Sequence, residues 1–324
     1  VMLVYNQEEL ARFVEEAKPY ACYGKVADYI PALAKANPNE LSVAVYTPDG
    51  KVVSAGDVTV KVTLQSISKI IALALVLIDR GEDEVFRKVG MEPTDYPFHS
   101  IAKLEEKPAK PLNPMINAGA LVVTSMIEGG SVPERLKRLL AFVRRLAGNE
   151  HISYSDEVAR SEFVTAFLNR SLCYFLKQHG IIDEDVEELI DLYTKQCAIE
   201  MTCVDLARIG LVFALDGRDP HSGKPLMPLD VARICKTFMV TCGMYNASGE
   251  FAIKVGIPAK SGVSGGILAA VPGRCGIGIF GPALDDKGNS LAGVKLLERL
   301  SKTYSLSIFG GGNDSENIYG PVSP

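Results

Sequence analysis

The spacing of apolar residues changes twice along this chain, and that change constrains the fold more than any single motif. Leu41 to Val45 alternates as a strand, Pro48-Asp49-Gly50 turns the chain, and Lys51 to Ser54 returns. Val58, Val60, Val62 and Leu64 then alternate again. From Ser66 to about residue 240 the period is helical, with Leu136, Leu139, Leu140 and Val143 as one stripe and Leu206, Ile209, Gly210 and Phe213 as another. Ser131-x-x-Glu134 and Thr202-x-x-Asp205 read as capping boxes for those helices. Asn6-x-x-Glu9 does the same ahead of Leu10, Phe13, Val14 and Ala17, and Gly180 reads as a helix stop. Strands return at Gly266 to Val271 and Cys275 to Phe280 around the turn Pro272-Gly273. A last helix is expected from Ser290 to Lys302, before a Gly- and Ser-rich tail, Gly310 to Pro324, that is expected to be loosely ordered. Strand-rich ends around a helical middle predict an α+β chain. Residues 1–65 and 241–324 are expected to form an antiparallel sheet flanked by helices, with residues 66–240 an inserted all-helical domain and the functional site at their interface.

Composition removes several classes of function. The chain has 324 residues and a formal net charge of -5, without a compact run of Lys and Arg, which argues against a nucleic-acid partner. Its longest apolar stretch, Ile70 to Ile78, is far short of the roughly 20 residues a membrane span needs. The start turns polar at Asn6, so no signal peptide is read there. Seven cysteines include no C-x-x-C pair, and the four histidines are far apart with no H-E-x-x-H. These features together predict a cytoplasmic, metal-free protein with reduced thiols.

Two strings invite a chemical reading. Gly276-x-Gly278-x-x-Gly281 matches a dinucleotide fingerprint, but Ile277 and Ile279 alternate inside a strand and no helix follows at once. Glycines that allow close packing in a strand explain it better. Ser66-Ile67-Ser68-Lys69 is more informative. Ser66 follows a strand-like run and opens the helix whose body is Ile70 to Ile78, so Ser66 and Lys69 share a face at its N-terminus. Backbone N–H groups there can stabilise an oxyanion, and an apolar helix favours a neutral lysine that can act as a base. A second Ser-x-x-Lys, Ser100 to Lys103, precedes a charged, surface-like segment. The plain alternative for Ser66 is a helix N-cap beside a surface lysine. Lys260-Ser261-Gly262, late in the chain and before a strand pair, resembles the Lys-Thr-Gly motif of the penicillin-recognising serine enzymes. No Ser-Asp-Asn string accompanies it.

Longer strings carry a more specific resemblance. Gly24-Lys25-Val26-Ala27-Asp28-Tyr29-Ile30-Pro31, Leu64 to Lys69, and Asn113-Pro114-Met115-Ile116-Asn117-Ala118-Gly119-Ala120 are similar to the serine-dependent glutaminase family. So are Ser161-Glu162, Asn169-Arg170, Tyr193-x-x-Gln196-Cys197, Tyr245-Asn246-x-Ser248-Gly249-Glu250 and Lys260 to Gly266. The matches run in family order from about residue 20 to 305, and the chain resembles the compact bacterial form. The resemblance implies a β-lactamase/DD-peptidase-like fold that hydrolyses L-glutamine to L-glutamate and ammonia, with no metal or organic cofactor. It implies Ser66 as nucleophile, Lys69 as general base, Tyr245 as proton carrier to the departing ammonia, and Ser66 and Val263 as oxyanion-hole donors. Glu162 would pair with the substrate ammonium, and Tyr29, Gln65, Asn117, Asn169, Tyr193 and Val263 would complete the substrate contacts. A homodimer or homotetramer is also expected. Lys260 stays open between orienting Ser261, stabilising charge near Ser66 and fixing the strand edge. Two other functions compete: a penicillin-recognising type of serine hydrolase, and a non-catalytic amino-acid-binding protein.

Overall fold

The structure is a computed structural model and describes residues 5–105 and 109–310. The tail expectation therefore lies outside the described residues beyond Gly310. The main sheet has five antiparallel strands in the order Val52–Gly56, Ser42–Tyr46, Cys275–Phe280, Gly266–Val271 and Ala259–Ser261. Strands from both ends of the sequence thus meet at its centre, with Ser42 opposite Phe280 and Tyr46 opposite Gly276. The fold is α+β, as the periodicity predicts.

Alternation along the strands gives the sheet two apolar faces. Val43, Val45, Ile267, Ile277 and Ile279 pack with Leu10, Phe13 and Val14 of the helix Gln7–Ala17 and with Leu296, Leu297 and Leu300 of Leu291–Tyr304. Asn6 and Ser290 cap those two helices with their side chains. Ala44, Leu268, Ala270 and Phe280 face the other way, into a larger core with Leu206, Ala207 and Phe213 of the helix Cys203–Ala214. Thr202 and Asp205 form a full capping box there. The same core continues through the helices Ser68–Arg80, Asn117–Ser125, Val132–Ala147, Val186–Cys197 and Leu229–Thr241.

The glycine string in Cys275–Phe280 has its explanation here. A Cβ on Gly276 would lie 2.0 Å from the Ala207 carbonyl oxygen, and one on Gly278 would lie 2.2 Å from that of Cys203. These glycines let the helix Cys203–Ala214 lie directly on the strand.

Two local expectations change. The alternating run from Val58 to Leu64 is a strand only over Val62–Thr63, because turn bonds hold the preceding segment, including Val60 N–H to Asp57 O. The helix at Ser66 begins as a 3₁₀ turn, Gln65–Ile67, that runs into Ser68–Arg80, and Ser66 makes no side-chain cap. Among the described residues no helix is long and apolar enough to cross a membrane.

Gly276→Ala should cost about 3 kcal/mol in denaturant unfolding, the upper end for an overpacked site. Gly249→Ala, with nothing within 4 Å of the added carbon, should stay within about 0.5 kcal/mol. Equal effects at the two sites would remove close packing as the reason for Gly276.

Candidate active site

Ser66 lies in the first turn of the 3₁₀ segment, where N–H groups have no acceptor within the helix. The residue before it, Gln65, is held at φ +47°, a left-handed conformation that costs a non-glycine residue about 1–2 kcal/mol. Tyr245, at the start of the 3₁₀ turn Tyr245–Ala247, is likewise at φ +52°. Strain of this kind persists only where surrounding bonds over-determine the backbone. At Gln65 they do: its side chain donates to Thr63 Oγ1 at 3.1 Å, and its carbonyl accepts the Ser68 hydroxyl at 2.7 Å.

Lys69 is 1% exposed, one helical turn from Ser66. Its Nζ donates to Asn117 Oδ1 at 2.8 Å and to the Met115 carbonyl at 3.1 Å. Burial lowers its pKa to about 8, with Cys197 and Glu162 opposing the shift. Asn117 is the first residue of its helix and donates onward to Asn169 Oδ1 at 3.2 Å. It therefore links the lysine to the cavity instead of capping the helix.

That cavity, about 330 Å³, is lined among others by Tyr29, Gln65, Ser66, Asn117, Glu162 and Asn169. Tyr193 and Val263 also reach it. Eight of the expected site residues thus converge on one hollow from six separated stretches of sequence. Its size suits a small ligand. Glu162 comes from the helix Asp156–Thr165; its Oε2 is buried without a hydrogen-bond partner, and burial raises the carboxyl to about 8 against the pull of Lys69. An unpartnered buried carboxylate oxygen is costly unless a cation or donor meets it.

Val263 sits in a tight turn after the strand Ala259–Ser261. Gly262 N–H bonds the Gly266 carbonyl, Gly265 N–H bonds that of Gly262, and the Ser264 hydroxyl ties the turn to the Thr63 carbonyl. The turn is thereby fixed to the segment that leads into Ser66.

Lys69 and Tyr245 stand outside the cavity lining. Tyr245 borders an adjoining cleft with Thr94, Tyr96 and Asn246, and Phe98 walls both spaces. The Phe98 ring lies 4.8 Å from that of Tyr245, and Lys69 Nζ lies 5.7 Å from the Phe98 centroid. Burial pushes the Tyr245 hydroxyl up, while the Ser66 side chain beside it acts the other way. Lys260 is fully buried, donates to the Ser261 carbonyl at 2.6 Å and lies 4.6 Å from the Tyr245 ring centroid. Burial and the nearby Lys69 hold its amine well below the usual lysine range.

Sequence reasoning did not find Phe98, His99, Thr165, Ala166 or Leu168 in the lining. Phe98 and His99 sit in a segment without apolar period. The others follow Glu162 closely, and that proximity was the only available signal.

Comparison with known proteins finds relatives along most of the chain. Residues 24–309 match the family model described as Glutaminase. The glutaminase of Geobacillus kaustophilus (strain HTA426) is 92% identical over 308 residues, which cover 95% of this chain and 100% of the relative. Glutaminase 2 of Bacillus subtilis (strain 168) is 63% identical over 309 residues, with the same coverage. A solved Bacillus subtilis glutaminase, in covalent complex with 5-oxo-L-norleucine formed from 6-diazo-5-oxo-L-norleucine, superposes with a TM-score of 0.86 at 44% identity. That likeness covers 94% of this chain and 99% of the solved one. On a family model matched over most of its length and relatives matched end to end, the chain belongs to the glutaminase family.

Proposed function

We propose that this glutaminase hydrolyses L-glutamine to L-glutamate and ammonia through a glutamyl-enzyme on Ser66. Ser66 Oγ attacks the side-chain amide carbon and its proton passes to Lys69 Nζ. A neutral amine has two N–H bonds and one lone pair. Asn117 Oδ1 and the Met115 carbonyl engage the two N–H bonds, which leaves the lone pair for the serine proton. The oxyanion is received by the N–H groups of Ser66 and Val263. Collapse expels ammonia, protonated by way of Tyr245, and water then cleaves the ester to release glutamate and restore Ser66.

Glu162 takes the substrate ammonium, and Tyr29, Gln65, Asn117, Asn169 and Tyr193 supply hydrogen bonds around the amino-acid end. The observation that carries this reading is the unpartnered Glu162 Oε2, buried in the same cavity that Ser66 lines. A zwitterionic amino acid satisfies it, and a side-chain amide then has Ser66 to meet.

The division into a sheet domain, residues 1–65 and 241–324, and a helical domain, 66–240, belongs to this proposal. In support, the cavity draws Asn117, Glu162 and Tyr193 from one part and Val263 from the other. A cytoplasmic homodimer or homotetramer without nucleic-acid or membrane partners completes it, and a monomer mass in solution would overturn the oligomer.

Ammonia release from L-glutamine should fall at least about 10³-fold in Ser66→Ala, because the nucleophile cannot be replaced in kind. Lys69→Met should lose turnover while still binding glutamate. A folded Ser66→Ala that releases ammonia at the parent rate would sink the assignment of the nucleophile. Glu162→Gln should raise KM for glutamine about tenfold to a thousandfold, the effect of losing one buried charged partner. An unchanged KM would move the ammonium elsewhere.

The pH dependence follows from the two shifted groups. Lys69 acts as its neutral amine and Glu162 binds as its carboxylate, so both need to lose a proton. The rate constant kcat/KM should therefore rise with pH and level off above about 8. A profile that falls across that range would contradict the base assignment.

A further inference from the structure

Three side chains that do not line the cavity form a buried chain of hydrogen bonds ending at the residue before Ser66. The Thr124 hydroxyl donates to Gln196 Oε1 at 3.0 Å, Gln196 Nε2 donates to Ser68 Oγ at 3.2 Å, and the Ser68 hydroxyl donates to the Gln65 carbonyl at 2.7 Å. All three are at most 2% exposed. They come from different helices, Asn117–Ser125, Val186–Cys197 and Ser68–Arg80, whose apolar faces otherwise meet in one core.

The direction of the chain is set by its ends. A threonine hydroxyl that donates to the amide oxygen of Gln196 fixes which way that amide faces, and so turns its NH₂ toward Ser68. Ser68 Oγ, receiving that donor, has its own proton free for the Gln65 carbonyl. Cys197 Sγ, 4.0 Å from the same oxygen, is the only other acceptor near it among the bonds described, and at that distance it competes poorly. The Gln65 carbonyl also accepts the Ser68 N–H, so it is held twice. Such a network is worth its cost of burial only when each member is satisfied.

The geometry points to Thr124, Gln196 and Ser68 as positioning residues that hold Gln65 in its left-handed conformation and thereby aim the Ser66 N–H and Oγ. A peptide plane joins the Gln65 carbonyl to the Ser66 N–H, so rotating one moves the other. The strain at Gln65, φ +47°, needs such a restraint, and the Gln65–Thr63 side-chain bond is too local to tie it to the helical core. None of the three touches substrate, and they hold the Gln65 backbone while Thr63 Oγ1 separately holds its substrate-facing side chain, so their loss should act on the chemical step far more than on binding. This inference rests on the reading of Ser66 as nucleophile and oxyanion donor.

Thr124→Val keeps the shape and removes the hydroxyl, Ser68→Ala removes the last link, and Thr124→Ser restores the donor. Misplacing one oxyanion donor should lower kcat for glutamine by about ten- to a hundredfold in Thr124→Val and Ser68→Ala, less than its outright removal. KM should stay within about twofold, and Thr124→Ser should recover most of the rate. Assays run well below the thermal transition separate this from lost stability, since a purely structural role lowers Tm without changing kcat of the folded enzyme. Parent-like kcat in either folded variant, a loss seen only in KM, or a Thr124→Ser enzyme as slow as Thr124→Val would overturn the assignment. If Thr124→Val does not fold, Ser68→Ala decides. Ser66→Ala in the same assay keeps the two ideas apart: its activity would sink the nucleophile, whereas an inactive Ser66→Ala beside a parent-like Ser68→Ala sinks only the positioning role.

Discussion

The burial of the Lys69 amine is the constraint on which the site depends. An interior disfavours the charged form of a lysine, so the amine lies where it can be neutral near pH 8 and still be held by acceptors. Asn117 and Met115 supply those acceptors without a carboxylate bonded to the nitrogen that would restore its charge. The helix that carries Lys69 is correspondingly buried on all sides from Ser68 to Leu77. It needs cover from several other helices, and those same helices bring Asn117, Gln196 and Tyr193 inward. Lys260 repeats this logic from the sheet edge, with its amine against the Ser261 carbonyl and the Tyr245 ring. The nearby Lys69 adds to the burial that disfavours charge on Lys260.

Around these amines the backbone gives up local comfort for position. Gln65 and Tyr245 adopt left-handed conformations without being glycine, one directly before the serine and one at the tyrosine beside it. Elsewhere the same chain follows ordinary rules closely: Asn6, Ser131, Ser155, Asp185, Thr202 and Ser290 all cap helices with their side chains. Two further left-handed non-glycine residues, Asp216 and Ser305, lie just past helix ends, where that conformation is an ordinary terminus, so the departures that no helix end explains are those at Gln65 and Tyr245, beside the serine. This is where a protein that is consistent elsewhere is expected to carry strain for a purpose.

Much of this was legible beforehand. The strands Gly266–Val271 and Cys275–Phe280 have the bounds that their alternation predicts, and the helix Leu291–Tyr304 begins one residue after its expected Ser290 start. Less legible was the segment from Val58 to Val60, where alternation of valines mimics a strand but turn bonds take the backbone. Ser66 could not be told from a helix cap by its string alone, because a Ser-x-x-Lys pattern says nothing of whether the hydroxyl turns to the backbone or to a cavity. Phe98 gave no signal at all: its place between two hollows depends on where an irregular segment crosses the fold.

By itself the sequence determined the elements and the family, because periodicity, capping residues and long ordered strings are properties of neighbouring residues. Tertiary structure alone decided the chemistry of individual groups. Whether Lys69 is a solvated cation or a neutral base depends on the water removed around it. Whether Glu162 is a surface acid or a buried one with an unpartnered oxygen depends on which segments close over it. Burial is a sum over segments far apart in the chain, so a residue's identity fixes what it can do, and only its surroundings fix which of those things it does.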